Sequence, residues 1–190
     1  MLRPRRTRSV GRSSFVSLGL FDLRRQNYLT TEPTTFLSRQ TGEIQSRGLE
    51  LESSISVADG LTFTGAYTWL RDFEIVRTSD PAELHKREPT VPEHTASFWG
   101  HYRFAQGRLQ GFGIGGGIRY TGESFGDIAN SAELTVPDYA LFDAAVSYEI
   151  GAWQLSISGR NLADRATLTC WDSCYYGSRR AVNMTIGHHW

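Results

Sequence analysis

Eight stretches of the sequence alternate between apolar and polar residues with a period of two. In residues 139–150, Phe142 and Val146 fall on one face, and Asp143 and Glu149 fall on the other. Neighbouring side chains of a β-strand point to opposite faces, whereas a helix would place apolar residues three or four positions apart. The pattern therefore predicts an all-β, antiparallel fold. The predicted strands are residues 15–25, 48–58, 61–70, 94–104, 109–120, 139–150, 152–161 and 179–190.

The composition agrees with this prediction. Aromatic residues make up 12% of the chain and there are 19 glycines, which suits strands and turns better than helices. No stretch approaches the roughly 20 apolar residues that a membrane-spanning helix needs. The net charge is +0, so no general attraction to nucleic acid is expected, and we predict no nucleic-acid partner.

The connections between the predicted strands are alternately short and long. Ala58-Asp59-Gly60, Gln106-Gly107 and Gly151 form the short ones. Short turns at one end of the strands and long loops at the other are typical of a transmembrane β-barrel, and strands of roughly 10 residues match a tilted membrane span. Aromatic residues near the strand ends fit the interfacial girdles of such a barrel. The long segments are 26–47, 71–93, 121–138 and 162–178.

A soluble β-sandwich or lipocalin-like barrel is the alternative fold, because its strands also alternate. In that case the polar face would contact solvent and the apolar face would form the core. The regular change between short and long loops argues against it. So does the strand at 109–120, because Gly111, Gly113, Gly115 and Gly117 give one of its faces almost no bulk.

The first fourteen residues differ from the rest of the chain. Five arginines and no acidic residue occur in residues 1–12, and no apolar run follows them as it would in a secretory signal. We predict that residues 1–14 are a basic disordered arm or an artificial start. A nucleic-acid-binding arm and a transit peptide are the alternatives. The barrel portion is predicted to be residues 15–190.

Five motifs occur in an order that resembles a known family. They are "GLFDLRRQNYLTTEP", "QTGEIQSRGLELE", "YALFDAAVSYEI", "LSISGRNLADR" and a terminal strand that ends in an aromatic residue. Together they look like the C-terminal β-barrel part of TonB-dependent ferric-siderophore outer-membrane receptors. The two cysteines of the last loop resemble the ferrichrome and hydroxamate branch. The resemblance covers residues 15–190.

This resemblance implies an outer-membrane importer of a Gram-negative bacterium. In the family, a barrel of about 22 strands is closed by a plug in its lumen. The ligand is a ferric siderophore, so iron enters as cargo and no cofactor is expected. Outer-membrane lipid surrounds the barrel, and the TonB complex acts through the plug. The family's C-terminus is periplasmic, which places the short turns on the periplasmic side and the long loops outside.

The plug, the TonB box and a signal peptide are not found in this sequence. We therefore expect the chain to be the C-terminal portion of a receptor, a segment of a larger barrel that does not transport by itself. A small self-closed outer-membrane barrel with a structural or adhesive role is the alternative function. A soluble binding barrel is the third.

Cys170 and Cys174 are the only cysteines. A metal clip, a redox pair and a disulfide-closed loop are the three interpretations. A structural zinc site usually has four ligands, and a redox CxxC motif has one residue fewer between its cysteines. An extracellular loop is oxidising, so the family resemblance favours a disulfide between Cys170 and Cys174. We expect it to fix the loop.

Three aromatic residues flank these cysteines and are the candidate ligand-binding residues. Aromatic rings cover the apolar shell of a ferric hydroxamate well, which suggests that Trp171, Tyr175 and Tyr176 contact the siderophore. Packing within the loop, or membership of the upper aromatic girdle, is the alternative. Trp190 stands where the family commonly ends in phenylalanine, so the resemblance implies that it is part of the signal read by the barrel assembly machinery.

No catalytic residues are predicted. His85, His94 and Asp127 are the residues from which a site at the rim of the barrel could be imagined, but their spacing does not support one. The mixed charges of residues 71–93 are most simply a solvated surface, with an anion-attracting patch as the alternative. We therefore predict that the chain is not an enzyme and binds no metal through its own side chains.

Overall fold

The computed structural model describes residues 6–9, 14–31 and 38–190. Apart from three single-turn 3₁₀-helices, the regular structure in this part of the chain is β-strand. Among these residues, no helix is both long and apolar enough to cross a membrane. The strands are β1 (Arg6–Ser9), β2 (Phe15–Thr31), β3 (Ser38–Ala58), β4 (Leu61–Arg77), β5 (His94–Arg103), β6 (Phe112–Thr121), β7 (Ser124–Phe125), β8 (Thr135–Val136), β9 (Tyr139–Ile150), β10 (Trp153–Arg160), β11 (Leu168–Trp171), β12 (Ser173–Tyr176) and β13 (Ala181–His188).

The strands form one large antiparallel sheet in which neighbours in sequence are neighbours in space. The order is β1-β2-β3-β4-β5-β6-β9-β10-β13, and two small hairpins, β7–β8 and β11–β12, lie in the connections. All eight predicted strands are present. In the described residues β1 and β13 are the two ends of the sheet and do not pair with each other, so the sheet does not close on itself.

The register places like residues on like faces. Val146 of β9 lies opposite Ile114 of β6 and Ile157 of β10, and Ile157 lies opposite Met184 of β13. We call this side of the large sheet the apolar face. Its large side chains are mostly exposed, Ile114 by 48% and Met184 by 60%. This face is a contiguous apolar surface, and its exposure to water is unfavourable in free energy.

The opposite side, the polar face, carries ion pairs and large aromatic rings. Arg119 of β6 donates two hydrogen bonds to Asp143 of β9, at 2.6 and 3.1 Å. The indole of Trp99 covers two glycines of β6, because a Cβ built at Gly115 or Gly117 would lie 2.7 Å from it. The glycine-rich face of β6 therefore does not leave a void. It accommodates a side chain from the neighbouring strand.

β2, β3 and β4 extend well beyond the predicted strands into segments expected to be loops. In these extensions polar cross-strand pairs replace the apolar alternation. Arg47 of β3 lies 3.2 Å from Asp22 of β2 and 3.8 Å from Asp72 of β4, and Arg24 lies 3.4 Å from Glu43. Charged pairs across a ladder stabilise strands without a hydrophobic pattern, which is why the sequence did not reveal these extensions.

The connections keep the predicted difference in length, and they define two ends of the sheet. The short-turn end has the turns at 59–60 and 151–152 and a wider connection at 104–111 that includes a 3₁₀-helix, Gly107–Leu109. The long-loop end has the end of β2 at Thr31, the start of β3 at Ser38 and the loops 78–93, 122–138 and 161–180. Most of the buried apolar side chains of the described residues, including Ile44, Ile75 and Val136, lie at the long-loop end.

One segment expected to be a disordered arm contains a strand. The backbone of Arg6–Ser9 pairs antiparallel with Phe15–Leu18 of β2. These four residues therefore continue the sheet, because the open edge of β2 offers free backbone donors and acceptors to any adjacent segment. Residues 1–5 and 10–13 of the expected arm lie outside the described residues.

Candidate ligand-binding site at the long-loop end

The two cysteines lie in a small hairpin between β10 and β13. Cys170 of β11 is directly opposite Cys174 of β12, and the two are joined by a disulfide with a Cα–Cα distance of 4.0 Å. Asp172 makes the turn with a positive φ of 51°. We call residues 168–176 the disulfide hairpin. Both cysteine sulfurs are part of the disulfide bond, so neither is a free thiolate of the kind that a metal site or a redox pair uses.

The three candidate aromatic residues all lie on this hairpin and are exposed. Trp171 is 56% exposed, Tyr175 68% and Tyr176 83%. Cys170, in contrast, is only 2% exposed. The hairpin is therefore anchored through its disulfide, while its aromatic rings remain accessible to a ligand.

The hairpin is seated on loop 122–138 at Gly126. The backbone N–H of Asp172 donates to the carbonyl of Gly126 at 2.7 Å, and the N–H of Gly126 donates to the carbonyl of Leu134 at 2.9 Å. A Cβ built at Gly126 would lie 2.5 Å from the Cβ of Cys170. Only glycine allows this close approach, because the Cβ of any larger residue would displace Cys170 and its disulfide from loop 122–138.

Loop 122–138 is ordered by its own hydrogen bonds. β7 pairs with β8, and the carboxylate of Asp127 accepts the N–H of Ser131 at 2.8 Å. The hydrogen bonds from Ser131 hold the pKa of Asp127 below its ordinary value. The hydroxyl of Thr135 donates to the carbonyl of Ser131 at 3.1 Å. This loop is therefore a firm support for the hairpin.

Loop 78–93 is joined to the other side of loop 122–138 through Asn130. The Asn130 amide accepts the N–H of Arg87 at 2.8 Å and donates to the carbonyl of Arg87 at 2.9 Å. In addition, the N–H of Thr90 donates to the carbonyl of Phe125 at 2.8 Å. Asn130 has a positive φ of 55°, a backbone conformation that asparagine tolerates better than most residues. Its side chain thus pairs with Arg87 as a neighbouring strand would.

A third contact links loop 78–93 to the β2–β3 hairpin. The hydroxyl of Tyr28 donates to the carboxylate of Glu88 at 3.0 Å. Burial, together with the nearby negative charge of Glu88, raises the pKa of Tyr28 to about 12. Burial likewise raises the pKa of Glu88, although the hydrogen bond from Tyr28 opposes that shift. The end of β2 and the loops 78–93, 122–138 and 161–180 are therefore joined side by side.

The Tyr28 phenol gives a prediction for alkaline pH. The pKa of Tyr28 in the folded protein lies above its ordinary value of 10.0, so its contribution to stability is fully present below about pH 10. That contribution is lost as the pH rises towards about 12. In an ultraviolet titration we expect one tyrosine to ionise at about pH 12, and Tyr28→Phe should remove that step. An unchanged titration curve in the variant would contradict the prediction.

The segment that leads from β10 into the last loop is organised by Asn161, which is only 2% exposed. Its amide donates to the carbonyls of Arg165 at 2.8 Å and Ser178 at 3.2 Å, and it accepts the N–H of Arg165 at 2.9 Å. The N–H of Asn161 donates to Asp143 at 2.9 Å. Asn161 therefore ties both ends of loop 161–180 together and connects them to the polar face.

Asp164 secures the same loop from its second half. The guanidinium of Arg179 donates two hydrogen bonds to the Asp164 carboxylate, at 3.0 and 2.8 Å, and the N–H of Arg180 donates a third at 3.0 Å. The hydrogen bonds from Arg179 and Arg180 hold the pKa of Asp164 well below its ordinary value. Asn161 and Asp164 belong to one of the motifs that carry the family resemblance, and their hydrogen bonds hold the two ends of loop 161–180 together.

The remaining sequence candidates are not brought together. His85 lies 3.6 Å from Glu74, whereas His94 accepts or donates a hydrogen bond with the hydroxyl of Tyr67 at 2.9 Å. The carboxylate of Asp127 accepts a hydrogen bond from the N–H of Ser131 within loop 122–138. Trp190 lies at the short-turn end, where its ring is 6.0 Å from that of His188. These residues do not form a common site, and the role of Trp190 in barrel assembly stays a prediction.

The contacts between the loops were not predicted from the sequence. Arg87 and Asn130 are 43 residues apart, and Tyr28 and Glu88 are 60 apart. No periodic pattern marks such pairs. The one available signal was the amino-acid type, because Asn130 and Asn161 are asparagines in segments between strands, where that residue favours a left-handed turn.

Comparison with known proteins identifies the family. Residues 7–162 match the family model described as "TonB dependent receptor-like, beta-barrel". This match covers most of the chain and begins within β1. The family consists of outer-membrane transporters and receptors. In their barrels the apolar face contacts lipid and the polar face lines the lumen.

Two curated relatives illustrate the similarity. The chain is 34% identical over 181 residues to the ferrichrome outer membrane transporter/phage receptor of Escherichia coli (strain K12) and covers 23% of that protein. It is 31% identical over 190 residues to the ferrioxamine receptor of Yersinia enterocolitica and covers 25% of it. These matches span 90% and 94% of this chain. The chain therefore has about a quarter of the length of these relatives.

Solved structures support the fold. The siderophore receptor PiuA from Acinetobacter baumannii superposes with a TM-score of 0.78 at 23% identity, over 92% of this chain and 26% of that one. The ferric citrate transporter FecA gives a TM-score of 0.78 at 19% identity, over 92% and 28%. The strand order, the two faces and these matches lead to one conclusion: the chain belongs to the β-barrel family of TonB-dependent receptors.

Proposed function

We propose that this chain is the C-terminal barrel portion of a receptor that takes up a ferric hydroxamate siderophore across the outer membrane. The observation that carries the proposal is the identity of 34% and 31% to the ferrichrome and ferrioxamine receptors along nearly the whole chain. Uptake also needs the rest of such a receptor, because the chain corresponds to about a quarter of either relative.

The disulfide hairpin is the proposed ligand-contacting element within this portion. Its three exposed aromatic rings offer apolar surface at the long-loop end, and the surface of a ferric hydroxamate is largely apolar. The disulfide holds the hairpin in shape, which lowers the entropy lost when a ligand binds. The high exposure of Tyr175 and Tyr176 favours ligand contact over packing inside the loop.

The proposed orientation follows from the family. The long-loop end faces the outside and the short-turn end faces the periplasm, so that the C-terminus is periplasmic. Outer-membrane lipid contacts the apolar face, and the TonB complex acts through a plug domain. Trp190, at the short-turn end, serves as the residue that the barrel assembly machinery reads. Iron is cargo, so the chain needs no cofactor and performs no enzymatic step.

Binding of radio-iron-labelled ferrichrome and ferrioxamine B to outer membranes that contain the protein tests this proposal. Replacing Trp171, Tyr175 and Tyr176 together with alanine should weaken binding of one of these two ligands by about tenfold or more, since each ring contributes up to roughly 1.5 kcal/mol. Leu109→Ala is the matched control, because Leu109 is also an exposed apolar residue but lies at the short-turn end.

The possible results separate the function from the site. If the receptor that contains this portion binds neither ferric hydroxamate, the proposed function is wrong. If it binds one of them and the triple variant binds equally well, the function stands and the hairpin is not the contact site.

A further inference from the structure

The disulfide hairpin and loop 78–93 are both attached to loop 122–138. The hairpin is attached at Gly126, and loop 78–93 is attached at Asn130 and, through the N–H of Thr90, at the carbonyl of Phe125. All of these points lie within residues 125–130, at the end of β7 and in the turn that follows it. A movement of that turn must therefore change both attachments.

The attachment at Gly126 depends on space. The Cβ that a larger residue would add lies 2.5 Å from the Cys170 Cβ, 3.0 Å from the Leu134 carbonyl oxygen and 3.2 Å from the Leu134 Cβ. Contact on both sides means that Gly126 is held between the hairpin and the returning half of its own loop. The hairpin therefore cannot shift without moving the turn beneath it.

The attachment at Asn130 depends on hydrogen bonds. One amide group satisfies both the N–H and the carbonyl of Arg87, and it also donates to the carbonyl of Asp127 at 3.2 Å. Asparagine can supply a donor and an acceptor from one side chain, whereas aspartate at neutral pH supplies only acceptors. Asn130 therefore ties the turn and loop 78–93 to each other.

We propose that the disulfide hairpin, loop 122–138 and loop 78–93 form one mechanical unit. It is joined at Gly126 on the hairpin side, and at Asn130 and the carbonyl of Phe125 on the side of loop 78–93. Displacing the hairpin then releases loop 78–93. Coupling of this kind requires a contiguous chain of packed and hydrogen-bonded groups, which the structure provides. If the proposed function holds, a ligand that binds the hairpin aromatics restrains loop 78–93 as well.

Hydrogen exchange of the full chain in phospholipid vesicles measures the coupling, with residues 84–90 and 168–177 as the two reporters. Gly126→Ala should speed exchange in both segments, by roughly tenfold, because the displaced turn loses hydrogen bonds on each side. Gly19→Ala is the matched control, since the nearest atoms to its added Cβ are 3.9 Å away. It should change neither segment.

A second variant disturbs the unit from the hairpin side and leaves loop 122–138 intact. Replacing Cys170 and Cys174 with alanine should speed exchange at 168–177 and also at 84–90.

Asn130→Gly removes the amide but keeps the left-handed backbone accessible. It should speed exchange at 84–90, and Asn130→Asp should do so less because it still accepts the N–H of Arg87.

The combination of Gly126→Ala with Asn130→Gly gives the decisive result. If Asn130 transmits most of the displacement, adding Gly126→Ala in the Asn130→Gly background should change 168–177 fully but 84–90 much less than in the unmodified protein, because only the contact from Thr90 to Phe125 then remains. Additive effects at 84–90, or a Gly126→Ala variant in which only 168–177 responds, would overturn the proposal. Trypsin cleavage after Lys86 and Arg87 in isolated outer membranes gives the same comparison without refolding.

This test does not depend on any ligand. The coupling can therefore fail while ferric-siderophore binding is observed, and it can be found in a chain that binds neither ferrichrome nor ferrioxamine B.

Discussion

Replacing Asn161 with alanine is expected to lower the free energy of unfolding of loop 161–180 by about 3 kcal/mol, since three side-chain hydrogen bonds of about 1 kcal/mol each are lost. The amide is 2% exposed, so water cannot easily replace these bonds. The carbonyls of Arg165 and Ser178 lose a donor, and the N–H of Arg165 loses its acceptor. The backbone adds to the cost, because φ at this position is 50° and alanine resists that conformation.

The two ends of loop 161–180 should separate in this variant. Hydrogen exchange across residues 162–180, compared with exchange in β9, measures the local loss, and urea unfolding measures the global one. Asn161→Asp keeps the acceptor for Arg165 and should be intermediate. Asn183→Ala is the control, since Asn183 is exposed on the polar face of β13. Equal effects of Asn161→Ala and Asn183→Ala would show that the Asn161 side chain does not hold the two ends of this loop together.

An arginine at Ile157 is expected to destabilise the protein in a lipid bilayer by roughly 2–4 kcal/mol, the cost of a charge near the membrane midplane. Ile157 lies near the middle of β10 on the apolar face, between Val146 and Met184, and is 39% exposed. Its exposure is to lipid in the family's barrels, where a guanidinium finds no hydrogen-bond partner.

The adjacent residue supplies the matched comparison. Ser156 lies opposite Ser147 and Thr185 on the polar face. Ser156→Arg should cost less than about 1 kcal/mol, because the lumen side of such a barrel accepts polar groups. Urea unfolding from phospholipid vesicles measures both values, and the yield of protein in outer membranes gives a second comparison. A loss that is equal for the two variants would mean that the two faces are assigned incorrectly.

The strands and their faces could be predicted because the sheet imposes a period of two on the sequence wherever lipid and lumen lie on opposite sides. β5, β6, β9 and β10 illustrate this, since their observed bounds differ from the predicted ones by only a few residues. The extensions of β2, β3 and β4 were not predicted, because this period of two is lost there. Beyond the apolar band, charged residues are interspersed with a few apolar ones such as Ile44 and Ile75, so the alternation is too irregular to reveal a strand.

The role of single residues was less accessible. Trp99 received no interpretation from the alternation, yet its ring explains why β6 carries glycine at positions 115 and 117 of its polar face. Asn161 and Asp164 were recognised only as part of a motif, while the structure gives the physical cause, a set of hydrogen bonds that closes the last loop. The disulfide between Cys170 and Cys174 is present in the structure, but its close packing against Gly126 could not be inferred from the spacing of residues in the sequence.

The sequence by itself determined the fold class, the eight principal strands, the two faces and the family, because these depend on local alternation and on motifs in a fixed order. Only the tertiary structure decided how the long connections meet. The contacts of Tyr28 with Glu88, Arg87 with Asn130 and Gly126 with Cys170 join residues 43 to 60 positions apart or depend on one missing Cβ. No local pattern encodes such contacts, since they exist only after the sheet has brought its loops to the same end.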